Sequence, residues 1–315
     1  MKTATELTKK IEAAAYAAGV DLVGFASLDR FPDGMPSRIF AGARSVIGIA
    51  YRILRGSLRG IEEGTTYYQY TTTAIETLEE TVMPMALLKI AAAVEDEGYL
   101  AIPQRRNQSL KANASAVNPE MLHTGFVPGG AREPQLDFTA AVVACGLGER
   151  GLSGSLLTEP FGPLQRVAFL ITDAELEPSP LAVPHLCDRC GECVRACPGH
   201  AISEDGVLDG WQCAAYYRGA SRKTNPYMPP NAYAELPNRR EVMEGTARLS
   251  KEQAEEVMSE TYVYPPIKHG YVSSICGKAC DRACYVHLEE SGKLSKSFVA
   301  PFRRRPVWEL SVDEE

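Results

Sequence analysis

The sequence predicts an α+β protein in two parts. Three observations carry that reading: strand-like apolar runs alternate with helical faces over about the first 180 residues, the character changes after Pro178 and Pro180, and closely spaced cysteines follow. At 315 residues, 45% hydrophobic and 23% charged, the chain has ordinary globular composition and can bury one large core or two smaller ones.

Taken in order, the N-terminal stretch to Val20 reads as a small amphipathic helix stopped by Gly19. DLVGFAS from Asp21 and SVIGIAY from Ser45 read as buried strands, and FPDGMP (Phe31 to Pro36) has loop chemistry. Ile75, Leu78, Val82, Met85 and Ile90 share one helical face between Tyr67 and about Glu97, with Pro84 set to kink or divide the helix. A polar, aperiodic stretch from Ile102 to Gln135 reads as a long loop of the kind that often belongs to a site. LDFTAAVVAC is helix-like, GLGERGLSG is a glycine-rich turn, and RVAFLITD is a strand. The divisions are residues 1–180, then 181–290 with an insertion at about 219–272, then a C-terminal tail at 291–315 whose last residues, ending in SVDEE, read as exposed.

A net charge of −7 and a pI near 5.5 oppose broad attraction to a polyanion, and Arg303, Arg304 and Arg305 read as solvated surface. The first residues lack the apolar core of a signal peptide, and no apolar run reaches the ~18–20 residues of a membrane span, so no membrane association and a cytoplasmic location are expected. Cytosolic thiols are kept reduced, so the nine cysteines point to metal or cluster ligation rather than disulfides.

Cys187, Cys190, Cys193 and Cys197, followed by Pro198, stand in the pattern C-x2-C-x2-C-x3-C-P of a bacterial ferredoxin loop. Three thiolates at two-residue gaps wrap one [4Fe-4S] cluster, and the fourth leaves toward a second, so one such motif predicts another. By that crossed logic Cys187, Cys190, Cys193 and Cys284 form one ligand set, and Cys197, Cys213, Cys276 and Cys280 the other. Structural zinc is the alternative, but zinc sites typically use separated C-x2-C pairs. Cys145 ends an apolar helix and reads as a small buried side chain.

With the cysteines in place, the chain resembles the epoxyqueuosine reductase family of cobalamin-dependent iron–sulfur proteins, which is related to the reductive dehalogenases. The resemblance runs from about Leu22 to His287 and rests on CGLGERGLSGSLL, FGPLQRVAFLITDAEL, LCDRCGECVRACPGHAI, WQCAAYYRGA and ICGKACDRAC. It implies a nitroreductase-like α/β domain that holds cobalamin, followed by the two-cluster ferredoxin-like domain. Electrons from an external ferredoxin or flavodoxin would pass through the clusters to cobalt and reduce a small organic substrate. Gly146, Gly148 and Gly151 are the residues the resemblance sets against the corrinoid, and Tyr67, Tyr68 and Glu133 are the candidate proton donors. The chain also departs from the family. The family's acidic residue before the glycine turn aligns with about Arg132, the last cysteine motif reads C-x3-C-x3-C-Y, and 62 residues separate Cys213 from Cys276. It ends without the helical repeats of many tRNA-acting relatives, which with the acidic balance argues against a tRNA substrate. The competing reading is a two-cluster carrier that has lost cobalamin and relays electrons to a partner.

Overall fold

The computed structural model describes residues 2–104, 136–261 and 274–313. Helix α1 (Ala4–Ala17) opens on a capping box, in which the Glu6 N–H donates to the Thr3 hydroxyl and the Thr3 N–H donates to the Glu6 carboxylate. Gly19, at φ +86°, stops it as expected. Strands β1 (Leu22–Ser27) and β2 (Ser45–Arg52) fall on the two apolar runs, while α2 (Met35–Ile39) begins inside the expected loop, with Pro36 in its first turn.

After α3 (Gly56–Glu63), the expected long helix forms as two differently wound stretches. A π-helix runs over Tyr70–Val82, and α4 over Met83–Glu95. The change falls at Pro84, whose missing N–H costs least in the first turn of the α-helical stretch. The sequence reading placed a loop from Ile102, but β3 (Ala101–Gln104) pairs antiparallel with β6 (Gln165–Thr172). Pro103 is tolerated there because β3 is an edge strand. The remainder of that expected loop, including Glu133, lies outside the described residues.

Between β3 and β6 the described chain forms α5 (Phe138–Ala144) and a small ladder of β4 (Glu149–Arg150) with β5 (Leu156–Leu157). The main sheet has the order β1-β2-β6-β3 and is antiparallel throughout. Both of its faces are covered, which explains the unbroken apolar run of β2. Ile47, Ile49 and Leu170 meet α1 and α4, whereas Val46, Phe169 and Ile171 meet α5. Cys145 caps α5 against this second face. A Cβ on Gly24 would lie 2.1 Å from the Cys145 carbonyl oxygen and one on Gly48 3.0 Å from its Cβ, so both strands need glycine there.

The cysteine-bearing part carries α6 (Glu192–Arg195), α7 (Gly210–Arg218), α8 (Arg239–Glu244), α9 (Lys251–Glu260) and α10 (Ala279–Glu290). The described part of the expected insertion packs on α7 in a small core of Tyr216, Tyr233, Val242 and Val257. It also grips the turn after Cys197: Gln212 Nε2 donates to the Gly199 and Ala247 carbonyls, and Arg248 donates to that of His200.

The C-terminal tail, exposed at Ser311 and Asp313, is anchored to the rest of the protein before them. Phe302 is fully buried, Trp308 Nε1 donates to the Ile61 carbonyl at 2.8 Å, and the Leu310 N–H donates to that of Lys223 at 2.9 Å. Arg303 is likewise no free surface charge, because its Nε donates to the buried Glu62 carboxylate at 2.9 Å. An extended strap can be held by such scattered anchors without regular secondary structure, which leaves no periodic signal in sequence. Among the described residues, no helix is long and apolar enough to cross a membrane.

Candidate functional site

The structure gathers eight cysteines into two groups. Cys284, on α10, lies within electrostatic range of Cys193, Cys187 and Cys190, and packs beside Cys187 against Leu157, Leu186 and Leu288. Cys213 is likewise close to Cys276 and Cys197, and Cys280 is close to Cys276 and Cys213. Cys197 thus lies near Cys213 and Cys276, and Cys284 near Cys187, Cys190 and Cys193. Burial pushes the Cys213 thiol up to about 12, with the neighbouring Cys276 adding to the rise, so without a compensating cation it stays protonated.

The loops around these thiols hold unusual backbone. Arg189, His200 and Lys278 are non-glycine residues at φ +59°, +49° and +53°, each next to a cysteine motif. Such conformations cost about 1–3 kcal/mol apiece and concentrate where surroundings enforce a particular geometry. Backbone amides point at sulfur: Leu152 N–H donates to Cys187 Sγ at 3.3 Å and Ala201 N–H to Cys197 Sγ at 3.2 Å. The glycine turn also reaches this loop through Glu149. Its carboxylate is buried, which alone would raise its pKa, but the N–H groups of Cys187, Leu186 and His185 outweigh that and hold it below the usual carboxylate range.

A cavity of about 580 Å³ lies between the glycine turn, α5, β6 and the start of α10. That volume is within the roughly 300–1,000 Å³ range of small-molecule and cofactor sites. Phe138, Val142, Leu156 and Val167 supply apolar wall. Arg166, Glu79, Lys278 and Asp281 supply charge, with Arg166 facing Glu79 at 3.5 Å and Lys278 facing Asp281 at 3.6 Å. Asp281 accepts from the Ser155 hydroxyl at 2.6 Å and follows Cys280 directly, so the wall of the cavity is also the cysteine loop. Tyr70 is buried close to Arg166 and Lys278, and that burial pushes its phenol far above the ordinary value. These charged residues were not singled out in sequence, although Lys278 and Asp281 both sit inside the departing C-x3-C-x3-C motif.

Other expected site residues fall elsewhere. Tyr67 is buried, edge-on to Tyr227 and Trp308, and Tyr68 is half-exposed; neither lines the cavity. Gly146, Gly148 and Gly151 do not line it either. A Cβ at Gly146 would lie 2.2 Å from the Pro180 carbonyl oxygen, and one at Gly148 2.1 Å from that of Leu157, so these glycines serve the turn's own packing. Gly154, three residues on from Gly151, is the glycine of this turn that faces the cavity. Cys145 is fully buried and belongs to neither cysteine group, as its apolar context suggested.

The 4Fe-4S binding domain family matches residues 183–203. Tetrachloroethene reductive dehalogenase of Desulfitobacterium hafniense is 44% identical over 91 residues, 27% of this chain and 15% of its own length. Epoxyqueuosine reductase of Synechococcus sp. (strain CC9605) is 36% identical over 103 residues, 33% of this chain and 31% of its own. The chain thus spans less than a third of the length of either relative. Among solved structures, a variant of a catabolic reductive dehalogenase shares the fold at TM-score 0.51 and 15% identity, over 82% of this chain and 36% of that one. With its mixed helix–sheet fold and ferredoxin-type cysteine loop, the chain carries a 4Fe-4S binding domain and is similar over part of its length to epoxyqueuosine reductases and reductive dehalogenases.

Proposed function

We propose that the chain is a reductase that carries electrons through two [4Fe-4S] clusters to a cobalamin in the cavity, where a small organic substrate is reduced. The observation that carries this reading is the shared wall: Lys278 and Asp281 line the cavity from within the stretch that bears Cys276, Cys280 and Cys284. Cys187, Cys190, Cys193 and Cys284 hold the first cluster, and Cys197, Cys213, Cys276 and Cys280 the second. The first would lie nearer the surface, because Cys190 is less deeply buried than Cys213, Cys276 and Cys280, and an external ferredoxin or flavodoxin would deliver electrons there. A second cluster behind Lys278 and Asp281 on the cavity wall would then need no further relay.

The cavity's residues suit a large amphipathic cofactor within a nitroreductase-like α/β domain. Phe138, Val142, Leu156 and Val167 would hold its apolar surface, while Arg166 and Gln165 would meet its polar edge. Bound there, cobalamin supplies a low-potential metal centre for reductive cleavage. The protein orients the substrate, excludes water, and holds a proton at Lys278 Nζ, with the Asp281 carboxylate keeping that ammonium charged.

Epoxyqueuosine reductases are among the curated relatives, and one solved epoxyqueuosine reductase holds an epoxyqueuosine-modified tRNA stem loop. The expectation against a tRNA substrate is therefore dropped, and a modified stem loop joins small organohalides as a substrate to assay.

Anaerobic reconstitution with iron, sulfide and cobalamin tests the proposal. About eight irons and one corrinoid per chain support it. Eight irons without corrinoid uptake favour the electron carrier, and zinc without inorganic sulfide removes the cluster reading altogether.

A further inference from the structure

Arg282 lies between the last two cysteines of the chain, on α10, yet its guanidinium turns back to the preceding loop. Its Nε donates to the Gly277 carbonyl at 3.0 Å and one terminal nitrogen to that of Cys276 at 3.1 Å. Its other terminal nitrogen donates to the Glu62 carboxylate on α3. Glu62 is nearly inaccessible, with 4% of its side chain exposed, and it also receives two bonds from Arg303 of the C-terminal strap, at 2.9 and 3.1 Å. The loop itself presses on α3, because a Cβ at Gly277, at φ +53°, would lie 2.5 Å from Ile61 Cδ1. The arrangement is a buried Arg–Glu–Arg relay from the strap, through α3, to the backbone that presents Cys276.

We propose that Arg282 is a positioning residue that holds the second-cluster loop and raises that cluster's reduction potential, with Glu62 and Arg303 fixing its orientation. The inference rests on the two-cluster reading above. Two physical effects act in the same direction. A fixed cation beside a cluster favours the reduced, more negative form, and rigid loop carbonyls keep the Lys278 and Ala279 amides aimed at Cys276 sulfur. The effect is greatest on the second cluster, because both carbonyls that the guanidinium holds, those of Cys276 and Gly277, belong to the loop that presents Cys276. Raising the second cluster's potential makes transfer from the first cluster more favourable, and Arg282 does this without lining the cavity.

The test is a potentiometric titration of the reconstituted full chain followed by electron paramagnetic resonance, with the second cluster assigned as the signal lost in Cys213→Ser. Arg282→Gln is expected to lower that cluster's midpoint by about 59 mV, a tenfold change in its reduced-to-oxidised ratio for a one-electron couple. The other cluster should stay where it was. Arg282→Lys, which keeps the charge, should recover most of the shift, and Glu62→Gln, which removes the opposing charge, should move the midpoint upward. Eight irons with an unmoved midpoint in Arg282→Gln overturn the proposal. If that variant loses iron, an unmoved midpoint in Glu62→Gln overturns it instead. Wild-type protein that takes up only four irons would fail the two-cluster reading, a result distinct from either.

Discussion

The Glu149 carboxylate accepts the amide N–H of Cys187 at 2.7 Å, so a side chain of the glycine-rich turn fixes the first residue of the ferredoxin loop. With Leu186 and His185 also donating, three amides, that of Leu186 buried, depend on one carboxylate. Bonds to a charged acceptor contribute about 1.5–3 kcal/mol each, and a buried amide left unpaired costs a similar amount. Glu149→Gln turns a donor toward these donors. It is expected to lower the melting temperature and to cost about half of the bound iron. Thermal unfolding with iron counts checks this, and unchanged values in both would refute the bracket.

Gly24→Ala separates fold from clusters. Its methyl would enter the Cys145 carbonyl at 2.1 Å, where only backbone can yield. Overpacking of this kind costs about 1–3 kcal/mol. Calorimetry should find Gly24→Ala less stable, whereas Cys145→Ala, outside both cysteine groups, should retain the wild-type iron content.

Lys278→Met removes the ammonium that faces Asp281 at 3.6 Å on the cavity wall. Turnover is expected to fall by about a hundredfold, the lower end of what a positioned proton donor contributes. Iron content should be unaffected. Activity at the wild-type level would remove Lys278 from the reaction.

Glu62 gives a pH dependence with a definite sign. Burial raises its pKa, but the bonds and charges of Arg303 and Arg282 outweigh burial and hold it below the ordinary carboxylate value of 4.5. A folded-state pKa depressed in this way contributes stability that is complete above the unfolded value and is lost as pH falls through the folded one. The strap should therefore loosen only in acid, below about pH 4.5. Trp308 anchors the strap to Ile61, so its fluorescence in a Trp211→Phe background reports the release. In Glu62→Gln that acid transition should vanish. A transition that survives unchanged would show that Glu62 does not hold the strap.

The apolar runs of β1, β2 and β6 were legible in sequence because a strand buried on both faces leaves an uninterrupted apolar signal. The cysteine spacing was legible for a related reason, since a loop that wraps a cluster constrains neighbours in the chain. β3 was not, because four residues with a proline resemble a loop until β6 is there to pair with them. The glycine turn was noticed for its glycines, but its contribution lies in Glu149, whose partners are more than thirty residues away.

By itself, the sequence determined strands β1, β2 and β6, the stop at Gly19, the division at Pro84, and the expected grouping of the cysteines, Cys284 with Cys187 included. Only the tertiary structure decided that Ala101–Gln104 pairs with β6, that Arg166, Lys278 and Asp281 share one cavity, and that Arg303 reaches Glu62. The physical reason is range: periodicity and loop spacing act between near neighbours, whereas an ion pair or a cavity wall joins residues whose separation along the chain carries no information about their distance in space.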